Sequence, residues 1–531
     1  LMEENNINST FNTINHWNNF KLKLVFEGVI VGAFSGLAVV LYRYLIELAG
    51  HFSRTIYMIQ KGNNLFIPLW LVVLIFLGYF TGVLIKEEPM VSGSGIPQVE
   101  GVLLRYFNMN WWRTLLGKLV GGFISILAGL SLGREGPSIQ IGAAIAKGYS
   151  EIFKKVKLEE KFLITSGASA GLAAAFNAPL AGVMFSLEEV HKNFSPVVLV
   201  SAMAASITAD VISKCFFGFK PVFNLQSISS MPLDNYIFVI ILGMIMGVFG
   251  TLFNYILLKT QDLYNAQKWL PQHMRPIIPF IMAGILGLIL PEVLGGGHEL
   301  VSSMVDARFT TNILLIILVT KFIFTMISYG SGAPGGIFLP LLVIGALIGD
   351  IFGNTISNAF NFSPEYIKNL IILAMAGYFT AVVRAPITGI ILITEMTGSF
   401  NHLLSVSIVS AIAYVTADIL GSKPIYESLL DRMVNKGSSR FKGDSKTKVI
   451  IETAVCMGSL IEGKKIKELK LPSECLLVAV KRGEHEIIPK GDTQIHAGDY
   501  LITLTNEDNA AEIREKLTAI AEVLSASIYE K

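Results

Sequence analysis

Gly133-Arg134-Glu135-Gly136-Pro137 places two adjacent charges between apolar segments of the chain. Charges at such depth need a polar cavity, a partner or a bound ion to offset their desolvation, so they mark transport pathways. The flanking residues define the kind of ion. Pro137 suits the first turn of a helix, where a missing N–H loses nothing. The glycines let the backbone turn sharply and approach a ligand closely. A helix running on through Ser138 to Ala146 points its free N–H groups and positive dipole end back at the motif, which is anion-site chemistry. Glu135 is itself an anion able to fill that site or yield it to a solute. The bland alternative is a kinked helix with Arg134 and Glu135 paired to each other.

The second half of the chain favours the anion site. Gly336-Ile337-Phe338-Leu339-Pro340 repeats the Gly-x-x-x-Pro frame, and Gly345-Ala346 follows it as Gly142-Ala143 follows the first copy. Ala178-Pro179-Leu180-Ala181-Gly182, ending in Glu188, matches Ala385-Pro386-Ile387-Thr388-Gly389, ending in Glu395. Two landmarks in one order imply an internal duplication of about two hundred residues, with a binding site where the interrupted segments meet.

Composition agrees with a membrane setting. Of the 531 residues, 52% are hydrophobic and 15% charged, against about 25% charged in soluble domains. Apolar runs recur from 25 to 420, several broken by Gly and Pro, so the chain is polytopic and α-helical. The net charge of +2 gives no case for nucleic acid. Cys215, Cys456 and Cys475 are too widely spaced for a zinc site or a disulfide framework. The first twenty residues are polar, without the apolar core of a cleavable signal. Lys21 and Lys23 ahead of the first span predict a cytoplasmic N-terminus.

Val91-Ser92-Gly93-Ser94-Gly95-Ile96-Pro97 has the same grammar as the central motif, with a hydroxyl where the backbone turns; an ordinary N-cap role for Ser94 stands beside an anion-binding one. The charged stretch Glu151 to Lys161 reads as a solvated connection. The Gly/Ala-rich segment 164–189 fits close helix packing and ends at Glu188-Glu189, either interfacial charges or a proton-transfer pair. Ser328 to Gly335 reads as a re-entrant stretch, and Lys321 and Arg384 as structural charges with backbone or carboxylate partners. Tyr426 follows the last apolar run, where a tyrosine is most often an interfacial anchor. Predicted boundaries are a polar tail (1–20), two membrane repeats (21–228 and 229–431), a linker (432–446) and a small α+β domain (447–531) with a final helix near 507–521.

With these motifs in order, residues 25–430 resemble the CLC chloride channel and transporter family. The resemblance implies an inverted-topology repeat with broken helices. It also implies a homodimer with one pore per subunit in the plasma membrane, both termini cytoplasmic. Carried over, Ser94 and Tyr426 resemble the hydroxyl ligands of a central chloride. The backbones of Gly95, Ile96, Arg134, Gly136, Ile337 and Phe338 surround that position. Glu135 resembles the gating glutamate and Glu189 the inner proton glutamate. An acid at Glu189 points to a chloride/proton antiporter; the alternative is a passive chloride channel using the same site. Ser94 matches the chloride-selecting form, where the nitrate-selecting form has proline, and the intact motifs speak against the fluoride-exporting branch. The C-terminal segment resembles a TrkA-C domain through Leu476 to Val480, Ile487-Ile488-Pro489 and His496-Ala497-Gly498-Asp499. That architecture implies a bacterium and a regulatory ligand such as cyclic di-AMP near Ile487, Ile488, Pro489 and His496, with a passive dimer-stabilising domain as the alternative. No resident cofactor or metal is expected. A potassium-transport role lacks a TVGYG-like filter. An intramembrane enzyme lacks a nucleophile motif, metal spacing or phosphate loop.

Overall fold

The computed structural model describes residues 2–62, 66–192, 194–219, 221–223, 230–306, 309–360, 362–436, 448–469, 471–483, 485–506 and 508–521, the side chains of 2–20, 61 and 436 excepted. Two compact units divide the chain. One holds residues 1–100, 109–155 and 159–432; the other holds 101–108, 156–158 and 433–531.

The first unit is a duplicated set of eight helices. The first copy comprises α1 (Met2–Gly62), α2 (Phe66–Glu87), α3 (Ile96–Leu103), α4 (Trp111–Leu127), α5 (Glu135–Ile152), α6 (Lys157–Phe176), α7 (Pro179–Phe185) and α8 (Pro196–Phe217). The second comprises α9 (Tyr236–Ala266), α10 (Ile277–Ile289), α11 (His298–Val305), α12 (Thr311–Gly330), α13 (Phe338–Phe360), α14 (Ile367–Val383), α15 (Pro386–Thr397) and α16 (Leu403–Ile419). α17 (Ile425–Lys436) follows. Among the described residues, eight helices are long and apolar enough to cross a membrane, while others are too short. Non-spanning helices at membrane depth are stable only when packed in protein, and α3 and α7 fit that rule, with Ile96, Val99, Ala181 and Phe185 buried.

Three matched devices fix the two copies, the first and third by joining them and the second by bonding within each. Gly133 and Gly336 exchange N–H to carbonyl hydrogen bonds of 2.6 and 2.7 Å, a one-residue antiparallel bridge. Lys118 on α4 donates to the carbonyls of Val91 and Gly93, and Lys321 on α12 to those of Val293 and Gly295. Both lysines are fully buried, so each ammonium depends on these carbonyls for its solvation. The third device crosses over. Glu188 accepts from the N–H groups of Ile387 and Thr388 and from the Thr388 hydroxyl at the start of α15. Glu395, at the end of α15, accepts from Leu180 and Ala181 at the start of α7. Each glutamate thus caps the proline-initiated helix of the other copy, where orphan N–H groups and the dipole favour an anion.

Several expectations change in detail. The polar segment before residue 21 is the start of α1, because extending a formed helix costs far less than nucleating one. The stretch Glu151–Lys161 is not solvated throughout: Glu159 and Glu160 are buried, pairing at 2.7 Å with Lys23 and Lys147. α17 carries into the expected linker as far as Lys436, with Arg432 held by Asp262 and the Leu258 carbonyl; residues 437–446 lie outside the described residues. Lys321 does bind backbone, and Arg384 pairs with Asp418 and the Tyr414 carbonyl, as a structural role requires.

In the second unit, β1 (Lys448–Ala454), β2 (Cys475–Arg482), β3 (His485–Ile487) and β4 (Tyr500–Asn506) form an antiparallel sheet in the order β1-β4-β2-β3. Alternate residues Val449 and Ile451 turn inward to pack on Ile513 and Leu517 of α18 (Ala510–Ala521). Val455, Ile461, Val480, Ile495 and Leu501 form a second cluster. Arg482 clamps the buried Asp499 through two bonds of 2.8 and 2.7 Å.

Candidate functional site: a buried anion site between helix ends

The residues that the sequence picks out for the membrane site lie at or just before the starts of α3, α5, α13 and α17, except Glu189, which lies in the turn after α7. Gly95 adopts φ +91°, a left-handed turn that aims the start of α3 inward. Gly136 allows a close approach: a Cβ there would lie 2.9 Å from both the Ser94 Cβ and the Ser94 carbonyl oxygen, so only glycine lets α5 abut the Ser94 turn. Gly336 meets the backbone nitrogen of Gly136 in turn. Phe185 stands edge-on to both Phe338 (5.9 Å) and Tyr426 (6.4 Å), carrying the wall from α13 to α17. The first-turn N–H groups of these helices have no intrahelical acceptor, which makes the junction electropositive.

Ser94, Glu135, Glu189 and Tyr426 are all buried, at 1%, 0%, 4% and 0% exposure, which rules out an interfacial-anchor role for Tyr426. Among the described residues, the Tyr426 hydroxyl and both Glu135 carboxylate oxygens have no hydrogen-bond partner, nor does one oxygen of Glu189. The Glu135 carboxylate faces the backbone of Arg134, Glu135 and Leu339. It does not pair with Arg134, which turns away to Glu47 at 3.3 Å. Ser94 accepts the Ile96 N–H at 3.4 Å, so the N-cap contact exists, and its oxygen also lies 3.3 Å from the Tyr329 hydroxyl. Tyr426 is within electrostatic range of both Glu135 and Glu189. Buried polar atoms without a partner among the described residues need an explanation, and a bound ion is one that would satisfy them.

Glu189 sits in a π-helical turn, Ser186–His191, that follows α7. Such turns carry an inserted residue and are frequent at functional sites. Here the turn separates two adjacent acids: Glu188 caps α15, while Glu189 points into the interior near Lys192, Glu100 and Glu427. Lys192 in turn binds Glu100 and reaches Glu427 at 3.6 Å. On the Glu135 side, a cavity of about 720 Å³ opens, lined by Arg43, Glu47, Arg54, Arg134, Glu135 and His298.

The sequence reading missed Tyr329, Lys118 and Glu47. Lys118 had a findable signal, a lone lysine in an apolar run at the same place in its copy as Lys321. Tyr329 and Glu47 had none, since each reaches its partner through tertiary packing. In the second unit, Ile487 packs half-buried against the core, Ile488 is exposed, and His496 is exposed with its N–H bound to Asp499. Among the described residues, no group of three His, Cys, Asp or Glu could hold a metal ion.

Duplicated helices, broken at a buried hydroxyl-lined junction between their positive ends, define a membrane ion-transport protein. The description "Voltage gated chloride channel" matches residues 77–418, and "TrkA-C domain" matches residues 450–518. The H(+)/Cl(-) exchange transporter ClcA of Vibrio cholerae is 36% identical over 429 residues, 77% of this chain and 89% of its own. That of Salmonella schwarzengrund is 35% identical over 432 residues, 78% of this chain and 89% of its own. A slow cyanobacterial Cl-/H+ antiporter superposes with a TM-score of 0.75 at 31% identity, covering 78% of this chain and 99% of that one. A CLC-type fluoride/proton antiporter shares the fold, with a TM-score of 0.63 at 23% identity, covering 76% of this chain and 97% of that one. The chain belongs to the voltage-gated chloride channel (CLC) family and carries a C-terminal TrkA-C domain.

Proposed function

We propose that this protein is a secondary-active exchanger of chloride for protons. The observation that carries the reading is the pair of buried acids, Glu135 and Glu189, both within electrostatic range of the buried Tyr426. Chloride in the junction takes hydrogen bonds from the Ser94 and Tyr426 hydroxyls and from the backbone amides of Ile337 and Phe338. Gly95, Ile96, Arg134 and Gly136 supply the surrounding helix ends. Ionised, the Glu135 carboxylate competes with chloride for the same positive end of α5. Protonated, it loses that attraction, leaves the path and carries a proton with it. Glu189 serves as the inner proton acceptor, close enough to Tyr426 to exchange protons with Glu135 across the anion site. The relatives named as H+/Cl- exchangers support this reading.

Two copies, each with its own site, span a bacterial plasma membrane with both termini in the cytoplasm. The TrkA-C domain takes a small cytoplasmic nucleotide of the cyclic di-AMP kind at the surface of Ile488, Pro489 and His496. Calorimetry of the full chain with cyclic di-AMP tests that assignment, and absence of heat rejects it.

The transport reading is tested by the reversal potential of liposomes holding the purified protein, under a chloride gradient with and without an opposing pH gradient. A pH-dependent shift with uphill proton movement is the exchanger's outcome. Reversal at the chloride Nernst potential whatever the pH makes it a passive channel and leaves Glu189 without a transport role.

A further inference from the structure

We propose that Tyr329 is a positioning residue of the anion site: its hydroxyl donates to Ser94 and thereby frees the single serine proton for the anion. This rests on the reading of Ser94 as an anion ligand. Tyr329 lies near the end of α12, is buried, and places its oxygen 3.3 Å from the Ser94 oxygen, also buried. Distance alone permits either direction of donation.

Proton counting and the surroundings fix the direction. A serine hydroxyl has one proton and two acceptor positions. If Ser94 gave its proton to Tyr329, it would turn only lone pairs toward the junction, and an anion would be repelled. With Tyr329 as donor, the Ser94 oxygen accepts twice, from Tyr329 and from the Ile96 N–H at 3.4 Å, and its proton is left for the ligand. The backbone N–H of Ser94 faces the Tyr329 oxygen, which favours the tyrosine oxygen as acceptor toward that N–H and its proton as donor toward the Ser94 oxygen. A phenol, more acidic than an aliphatic hydroxyl, is also the better donor of the two. Tyr329 lies within electrostatic range of Tyr426, so the three hydroxyls share one neighbourhood.

The experiment is a double-mutant cycle read by titrating chloride, and separately nitrate, into the full-length detergent-solubilised protein. It compares wild type, Tyr329→Phe, Ser94→Ala and the double variant. Phenylalanine keeps the ring and removes only the hydroxyl, so packing around Ser94 is preserved. Tyr329→Phe is expected to weaken chloride binding about two- to tenfold, the worth of one hydrogen bond. It is also expected to lower the preference for chloride over nitrate. In the Ser94→Ala background the same change should do nothing further, because Tyr329 acts through Ser94. Wild-type chloride affinity in Tyr329→Phe overturns the proposal, and so do additive losses in the double variant. Wild-type affinity in Ser94→Ala instead overturns the underlying site assignment, so the two failures are told apart.

Discussion

The two copies of the membrane repeat share their scaffold and differ in their chemistry. Lys118 answers Lys321, Glu188 answers Glu395, and Gly133 answers Gly336, each pair making equivalent bonds. The site residues have no such counterparts. Aligned on the Gly-x-x-x-Pro frame, Glu135 falls opposite Phe338 and Arg134 opposite Ile337; aligned on the lysine-bound carbonyls, Ser94 falls opposite Gly296; Glu189 falls opposite Met396. What is duplicated holds the helix ends in place. What is single gives the junction its asymmetry, and an ion path needs distinct inner and outer ends to couple two ions.

The sharpest way to break this comparison is to change neighbours on one turn. Glu135→Gln, fixed in the neutral form, should leave chloride movement and abolish coupled proton movement, read as pH change in chloride-loaded liposomes. Glu189→Gln should abolish proton movement likewise. Glu188→Gln, one residue away, should retain coupling and lower stability. Undiminished proton pumping in Glu135→Gln removes its assigned role, and loss of coupling in Glu188→Gln erases the division between scaffold and chemistry.

The next largest effect belongs to the lysines. Lys118→Met and Lys321→Met each strand two buried carbonyls, at a cost of about 3 kcal/mol or more. Equal falls in Tm in one detergent are expected; a clear inequality would show that the copies are not mechanically equivalent. The crossed caps come third. Glu395→Gln keeps the shape and removes the charge facing Leu180 and Ala181, costing about 1 kcal/mol.

The smallest effect lies outside the repeats. Burial works against ionising Asp499, but the Arg482 guanidinium and the His496 N–H outweigh it and hold the carboxyl below its usual range. A depressed carboxylate stabilises the fold above its unfolded pKa and loses that contribution as pH falls through the folded value. Protection of the β4 amides in the full chain, corrected for the intrinsic pH dependence of exchange, should therefore fall as pH drops below about 4, and Asp499→Asn should flatten that dependence. An unaltered profile in the variant would assign the acid sensitivity to other groups.

Much of the membrane fold is legible because its constraints are local and repeated. Glycines, prolines and a buried charge recur in one order, and lipid leaves few ways to satisfy the backbone they interrupt. Ser94 and Glu135 stand out for that reason, whereas Tyr426, which reads as an interfacial anchor by itself, is picked out only by the family resemblance. Glu188 and Glu189 are another matter. They are chemically identical neighbours, and only the π-helical turn decides which one caps α15 and which one enters the interior. Arg134 beside Glu135 looks like its partner in sequence, yet helix geometry sends it to Glu47, some ninety residues earlier. The solvated reading of Glu159 and Glu160 failed on the same ground, since Lys23 and Lys147 reach them only in three dimensions.

The paired amides of Gly133 and Gly336 also set a timetable for biogenesis. At a synthesis rate of roughly 5–20 residues per second, the second glycine emerges about 10–40 s after the first. Through that interval the first repeat resides in the bilayer with the start of α5, its Ser94 neighbour and the Glu188 carboxylate lacking their second-repeat partners. The nascent half-protein therefore exposes polar backbone to lipid or to an insertion chaperone until α13 and α15 arrive. Substitutions that slow translation between the repeats should increase degradation of the chain without altering any residue of the finished pore.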